Sequence, residues 1–364
     1  MKQSKTNIGI IFIFFILLWL PLIDMKFHFI KVTNTEKREL AQMPSFRGNS
    51  LSTFITDYEK YYNDNFGFRS FLIWLYNFTQ VKILHTSPVQ KVMIGTNGWL
   101  FYNSEAAGDS HSIDDYEGKV PFTEQDLKNI ESNLEHIHTG LAKKGITFIV
   151  LVAPNKSSIY DEYLPANVRS KKGISRYDQL YERLKSNKQI TSIDVKQLLL
   201  QHKNDGQLYY KTDTHWNSYG GFLAYQGIMR EVQNIYPQVR PYVTSDYHIE
   251  TVQGKGNDDL AEMLGLQGQF QDYNARFIPI NNISLVDQSP ASSRTVIKTI
   301  PGSSLPKMLV FRDSFFTAVE PFLSRNFSKS TYIWTSYDQH VVDNENPDIV
   351  VWEVVERYID RLAK

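Results

Sequence analysis

The stretch from Ile146 to Val152 (ITFIVLV) leaves this chain little freedom. It carries no charge and lacks the strict alternation of a half-solvated strand, so it reads as a strand buried on both faces, the habit of parallel sheets. Shorter strand-like runs recur around Ile190 to Val195 and at Lys307 to Phe311, Tyr332 to Trp334 and Asp348 to Trp352. Between them the spacing turns helical. Thr123 is placed to cap a helix with Asp126 three residues on, and Leu127, Ile130, Leu134, Ile137 and Leu141 form one apolar face. Further helices are expected at Tyr177 to Lys185, Ser218 to Val232, Phe316 to Leu323 and Val354 to Leu362. Strands alternating with helices predict an α/β fold with a mainly parallel sheet covered on both faces.

The flanks read differently. Ile8 to Ile23 is an uncharged apolar run of 16 residues behind Lys2 and Lys5, slightly short of the ~20 a spanning helix usually needs. No small-residue cleavage site follows, and Trp19, Phe27 and Phe29 suit a membrane interface. An uncleaved signal anchor over residues 1–30 is expected, the N-terminus cytoplasmic and the remainder outside; a cleaved signal peptide is the alternative. Residues 31–90 read as a helical segment: a polar stretch, then Phe54, Tyr58, Tyr61, Tyr62 and Phe71, Trp74, Leu75, Phe78 at helical spacing, a pattern that normally marks core. The α/β domain is placed at 91–364. It opens on a hairpin, Met93 to Tyr102, turned by Asn97-Gly98. Residues 236–305 lack helical periodicity and read as a β-rich insertion, with turns at Gly254, Gly256 and Asn257.

Composition removes whole classes of chemistry. The chain has 364 residues and no cysteine, which excludes thiol nucleophiles, zinc–thiolate sites and iron–sulfur clusters. Its 39 basic residues balance 39 acidic ones, so nucleic acid is not an expected partner. The G-x-S-x-G, Walker, dinucleotide and H-E-x-x-H motifs are all missing. His136 and His138 fall on different faces of their helix and do not make a metal pair.

Two segments offer chemistry. In Tyr209 to Asn217 (YYKTDTHWN), Asp213 lies two residues before His215, which in extended backbone presents both side chains on one side of the chain, so a carboxylate can fix the orientation of an imidazole; the same residues also fit a capping Asp beside a packed His and Trp. In Met308 to Phe316 (MLVFRDSFF), an apolar strand runs into a turn bearing Ser314 and then a helix. That geometry lifts a hydroxyl above the sheet rim beside free helix-start amides; Asp313 or Ser314 acting as a simple N-cap is the other reading. A serine hydroxyl needs a base within reach, and together the segments supply one. They point to a serine-based acyltransferase or hydrolase without a cofactor motif.

These motifs resemble a known family. Asp213-Thr214-His215-Trp216-Asn217 is similar to the D-[TH]-H-W signature of AlgX/AlgJ-type, or DHHW-type, polysaccharide O-acetyltransferases, which have an SGNH-hydrolase-like domain. Further blocks agree in order: Glu36 to Pro44, Asn65 to Arg69, Gly95 to Phe101 (GTNGWLF), Gly256 to Gly265 (GNDDLAEMLG), Arg312 to Phe315 and Pro347 to Arg357. The resemblance implies a three-layer α/β/α fold with permuted motif order, in which Asp and His precede the serine. It also implies Ser314 as nucleophile, His215 as general base and Asp213 as its partner; beside these, Trp216 and Arg312 are expected at the substrate. Trp216 would face sugar or merely pack the histidine; Arg312 stands where an ordinary SGNH serine block has Gly. No metal or cofactor is implied. The expected acceptor is a cell-surface or exported polysaccharide, with acetyl groups delivered by a membrane-bound O-acyltransferase. An acetylesterase using the same residues and a non-catalytic glycan-binding scaffold are the rival readings.

Overall fold

A computed structural model describes residues 2–27, 29, 39–46, 50–254, 258–291 and 294–364. Most of the polar stretch after the apolar run, including Glu36 to Arg38, lies outside these residues, as do the turn positions Gly256 and Asn257. The chain forms two compact units, 1–88 with 264–267, and 89–263 with 268–364.

In the first unit, the N-terminal helix Lys2–Phe27 contains a 20-residue stretch, Ile8–Phe27, with a mean hydropathy of 2.6. It outlasts the expected 16-residue run because Asp24 and Lys26 are absorbed into the last turns. That length and apolarity suit a membrane-crossing helix or a signal sequence. The Asp24 carboxylate accepts the amide of Phe68 at 2.9 Å. Gly67 is needed here: a Cβ at this position would lie 2.0 Å from the carbonyl oxygen of Pro21. The Asn65 to Arg69 turn joins helices Leu51–Asn65 and Arg69–Phe78. Their aromatic stripe is not core, contrary to the expectation from spacing. None of the ten residues of Arg69–Phe78 is buried, because a short helical hairpin lacks a second layer to close over it.

In the second unit, β1 (Val92–Ile94) and β2 (Leu100–Tyr102) make the expected hairpin, with Asn97 and Gly98 at positive φ. The remaining strands are β3 (Thr147–Ala153), β4 (Thr191–Ile193), β5 (Tyr247–Gln253), β6 (Tyr273–Pro279), β7 (Val286–Asp287), β8 (Thr295–Thr299), β9 (Lys307–Phe311), β10 (Lys329–Ile333) and β11 (Ile349–Val355). The main sheet runs in the order β4-β3-β11-β9-β10-β8-β7. Its first five strands are parallel; β8 and β7 add an antiparallel edge. Residues 236–305 therefore divide. β5 pairs with β6 apart from the main sheet, while β7 and β8 extend it.

Burial explains the three layers. Along β3, Phe148, Val150 and Val152 pack with helices Glu124–Ala142 and Arg176–Leu184, whereas Ile149, Leu151 and Ala153 pack with Val195–His202 and Ser218–Ile235. Each such side chain removed from water contributes about 1.5–3 kcal/mol. Thr123 and Asp126 form the expected capping box. The chain end differs from expectation: Val354 and Val355 complete β11, as β-branched residues favour, and Glu356–Ala363 follows as a 3₁₀ helix. Phe315–Ala318 is likewise a 3₁₀ turn before the short helix Glu320–Leu323.

Candidate active site

Because β3, β11 and β9 are parallel neighbours, their carboxyl ends share one rim, the place where open α/β sheets gather functional groups. β9 delivers Arg312-Asp313-Ser314 there, β11 delivers Glu356-Arg357, and β3 delivers Asn155-Lys156.

The serine turn is fastened by its neighbours in the sheet. Glu353, buried in β11, accepts the Asp313 amide at 2.8 Å; Asp313 in turn accepts the amides of Phe315 at 2.9 Å and Val355 at 2.8 Å. Burial, and then the charge of Asp313, push the Glu353 carboxyl well above its ordinary range. Ser314 therefore stands on a rigid corner. Its amide makes no hydrogen bond among the described residues, which leaves it available to an oxyanion.

The Asp-x-His segment is a tight loop, not the extended backbone that the spacing suits. Asn217 donates to the carbonyl of Leu208 at 2.8 Å and Tyr210 to that of His215 at 3.2 Å, with Tyr209 and Trp216 bridged between them. At the tip, Asp213 Oδ1 accepts the His215 amide at 2.9 Å and lies 2.6 Å from His215 Nδ1. The other ring nitrogen, Nε2, lies 2.7 Å from Ser314 Oγ. The two segments thus meet across 99 positions of sequence, and carboxylate, imidazole and hydroxyl fall in line. Burial drives the Asp213 carboxyl up, but the hydrogen bonds and charge it shares with His215, with the Lys156 ammonium nearby, leave it below its ordinary value.

Trp216 and Arg312 are placed differently from expectation. Trp216 is 1% exposed and donates its indole N–H to the Phe315 carbonyl at 2.7 Å. It offers no surface to a sugar and instead stitches the histidine loop to the serine turn, the packing role weighed beside the sugar-binding one. Phe315 also lies against the His215 ring, centroids 4.8 Å apart. Arg312 is nearly buried, its guanidinium donating to the Asp313 carbonyl and the Thr317 hydroxyl at 3.1 Å and lying over Trp334 at 4.8 Å. It braces the serine turn from behind.

Residues that sequence reasoning left without a role crowd the same place. Asp259 accepts the Thr214 amide at 2.8 Å and the Thr214 hydroxyl at 2.5 Å, and its carboxylate is 3.9 Å from His215 Nδ1. Burial, then repulsion from Asp213, raise its carboxyl above the ordinary value. Asp213, His215 and Asp259 also satisfy the geometry of a metal-ligand trio, but the imidazole nitrogen facing the carboxylates is already hydrogen-bonded. Arg357 lies over Phe315 at 5.3 Å and lines a small polar cavity with Asn155, Lys156 and Thr214. Asn155, Lys156 and Arg357 follow directly on strand ends, the signal that singled out Ser314, and could have been found by it.

Comparison with known proteins bears on the family and the fold. Residues 92–303, more than half of the chain, match the family described as SGNH hydrolase-like domain, acetyltransferase AlgX; the match holds Asp213 and His215 and stops short of Ser314. The chain is 26% identical over 187 residues to the probable alginate O-acetylase AlgJ of Azotobacter vinelandii, covering 50% of this chain and 43% of that protein. It is 25% identical over 145 residues to the Pseudomonas aeruginosa AlgJ, covering 39% and 33%. The chain thus spans less than half the length of these relatives. In fold it is similar to Bacillus cereus PatB1 with a sulfonyl adduct (TM-score 0.54, 15% identity, covering 74% of this chain and 97% of that one). A DHHW family protein from Eubacterium siraeum is also similar (TM-score 0.52, 17% identity, 76% and 98%). On the extent of the family match, this chain belongs to the AlgX-type acetyltransferases with an SGNH hydrolase-like domain.

Proposed function

We propose that the chain is a membrane-anchored, extracytoplasmic O-acetyltransferase that acetylates hydroxyls of a cell-surface or exported polysaccharide through Ser314, His215 and Asp213. The observation that carries this reading is the His215 Nε2 to Ser314 Oγ distance of 2.7 Å, with Asp213 2.6 Å from the opposite ring nitrogen. His215 takes the Ser314 proton as Oγ bonds to the carbonyl carbon of an acetyl ester, and Asp213 steadies the resulting imidazolium. The donor's C–O bond then breaks, and His215 returns the proton to the leaving alkoxide. A sugar hydroxyl attacks acetyl-Ser314 in the second half, His215 receiving its proton and passing it to Ser314 Oγ as the acyl bond breaks. The free Ser314 amide faces the oxyanion in both halves. The apolar helix Ile8–Phe27 supports anchoring, and the alginate O-acetylase relatives support a polysaccharide acceptor.

The test uses the detergent-solubilised full chain with a small acetyl ester, with and without oligosaccharides, read by mass spectrometry. Acetylated sugar that disappears in Ser314→Ala supports transfer. Free acetate alone, whatever the acceptor, makes the protein an esterase. Turnover that survives in Ser314→Ala removes the serine mechanism.

A further inference from the structure

Lys156 occupies an unusual place for a lysine. It lies just past the carboxyl end of β3, its side chain is nearly buried, and no carboxylate reaches its ammonium at ion-pair distance among the described residues. Instead Nζ donates to three main-chain carbonyls of a single loop: Asp213 at 2.7 Å, and Tyr210 and Lys211 at 3.0 Å. Those three bonds exhaust the donors of an ammonium. The rings of Phe101 and Trp99 flank it at 5.4 and 5.8 Å.

The opposite side of the loop is held by acids. The Thr212 hydroxyl lies 2.6 Å from Asp258 and 3.1 Å from Asp272, the Thr212 amide donates to Asp272 at 3.1 Å, and Asp259 takes both donors of Thr214. So three of the loop's carbonyls turn toward one cation, while the amides and hydroxyls of Thr212 and Thr214 turn toward three carboxylates and the Thr212 carbonyl accepts the amides of Leu260 and Ala261. Taking an ammonium out of water is expensive, and here three backbone dipoles and two aromatic faces offset that expense.

We propose that Lys156 is the positioning residue for the Ser314–His215–Asp213 reaction, its ammonium drawing the carbonyls of Tyr210, Lys211 and Asp213 inward so that Asp213 and His215 stand in line with Ser314. The inference rests on the serine mechanism proposed above. Lys156 touches neither substrate nor the reacting atoms; it acts through the loop. Burial pushes its ammonium down to about 8, against the opposing charges of Asp259, Asp213 and Asp272. Arg357 shares the small cavity beside it. Above that pH the third donor and the charge are lost together, and the loop is released. The sign separates this from unfolding: a lysine whose folded value is depressed favours the folded state more, not less, as pH rises from about 8 toward its unfolded value.

The experiment measures the rate at which methylsulfonyl fluoride labels Ser314 in the solubilised full chain, and the kcat and KM for an activated acetyl ester, across pH 6 to 10. Lys156→Met is expected to keep its far-UV dichroism, to lose roughly 10- to 100-fold in labelling rate and kcat with KM little changed, and to lack the alkaline limb. Lys156→Arg, charged throughout, is expected to recover part of the rate, also without that limb. A folded Lys156→Met that labels at the wild-type rate overturns the proposal. Should that variant not fold, the wild-type profile decides: labelling that falls above pH about 8 with unchanged dichroism supports the proposal, and a flat profile to pH 10 overturns it. A wild-type protein that labels no faster than Ser314→Ala defeats the serine mechanism itself and this inference with it; wild-type labelling lost in Ser314→Ala but kept in Lys156→Met defeats the inference alone.

Discussion

The serine turn and the histidine loop meet at 2.7 Å but are held by different means. The turn is a continuation of β9, and the amides of Asp313 and Phe315 are taken up by the carboxyl groups of Glu353, on the adjacent strand β11, and Asp313, which also accepts the Val355 amide of β11. The loop lies outside the main sheet and is closed by the single Tyr209–Trp216 bridge. Its polar groups are distributed between Lys156 at the end of β3 and Asp258, Asp259 and Asp272 in the stretch between the helix Ser218–Ile235 and β7. The serine is thus placed by the sheet and the histidine largely by charged side chains. A sheet corner responds to mutation by losing stability; a charge-held loop responds by losing alignment while the fold survives. Three substitutions break or sharpen that distinction, ranked by their effect on Ser314 reactivity.

Asp313→Ala has the largest expected effect. It leaves the buried amides of Phe315 and Val355 without acceptors, and an orphaned buried donor costs about 1–3 kcal/mol. Urea denaturation is expected to show a loss on the order of 3 kcal/mol, with Ser314 labelling reduced roughly 100-fold. Normal stability with lost labelling would mean that the turn, like the loop, is merely aligned by its charges.

Asp259→Asn acts on the other half. Asparagine's oxygen still accepts the Thr214 amide, while the charge 3.9 Å from His215 Nδ1 disappears. Labelling is expected to fall roughly tenfold, with unfolding free energy changed by less than about 1 kcal/mol. A stability loss as large as that of Asp313→Ala would erase the contrast between the two halves.

The same contrast explains what the sequence disclosed. β3 and β9 were legible because an uncharged run has to be buried, and Ser314 because it follows such a run. Asp213 and His215 were legible as a pair two residues apart, although their backbone turns instead of extending. The histidine loop's supports were not. Lys156 and Asp259 lie 57 and 46 positions from Asp213, and no periodicity links them; only the folded loop shows that one collects its carbonyls and the other its donors. Trp216 misled for a related reason, since an aromatic beside a base suits sugar or packing equally until its indole is seen bonded to Phe315. The exposed aromatics of Arg69–Phe78 misled because helical spacing reports that a face is apolar, not that something covers it.

Glu356 joins the two halves and tests them at the smallest scale. It sits just past β11, and its buried carboxylate accepts the Asn155 amide at 2.6 Å and the Ser158 hydroxyl at 2.7 Å, fastening the segment that carries Lys156. Burial lifts this carboxyl to about 7, with the charge of Lys196 pulling it down and that of Asp115 pushing it up. A carboxyl raised on folding binds its proton more tightly in the native state. Its contribution to stability is therefore full below pH about 4.5 and is lost as pH rises through about 7. Glutamine keeps an oxygen for both donors and never ionises. Relative to the wild type, Glu356→Gln is expected to gain on the order of 2 kcal/mol in urea stability between pH 4.5 and 7.5, while Ser314 labelling at fixed pH changes less than about twofold. An identical pH slope in both proteins would show that Glu356 is ionised throughout. A labelling rate that drops as far as in Lys156→Met would show that the β3 end, and not the ammonium it carries, is what holds the loop.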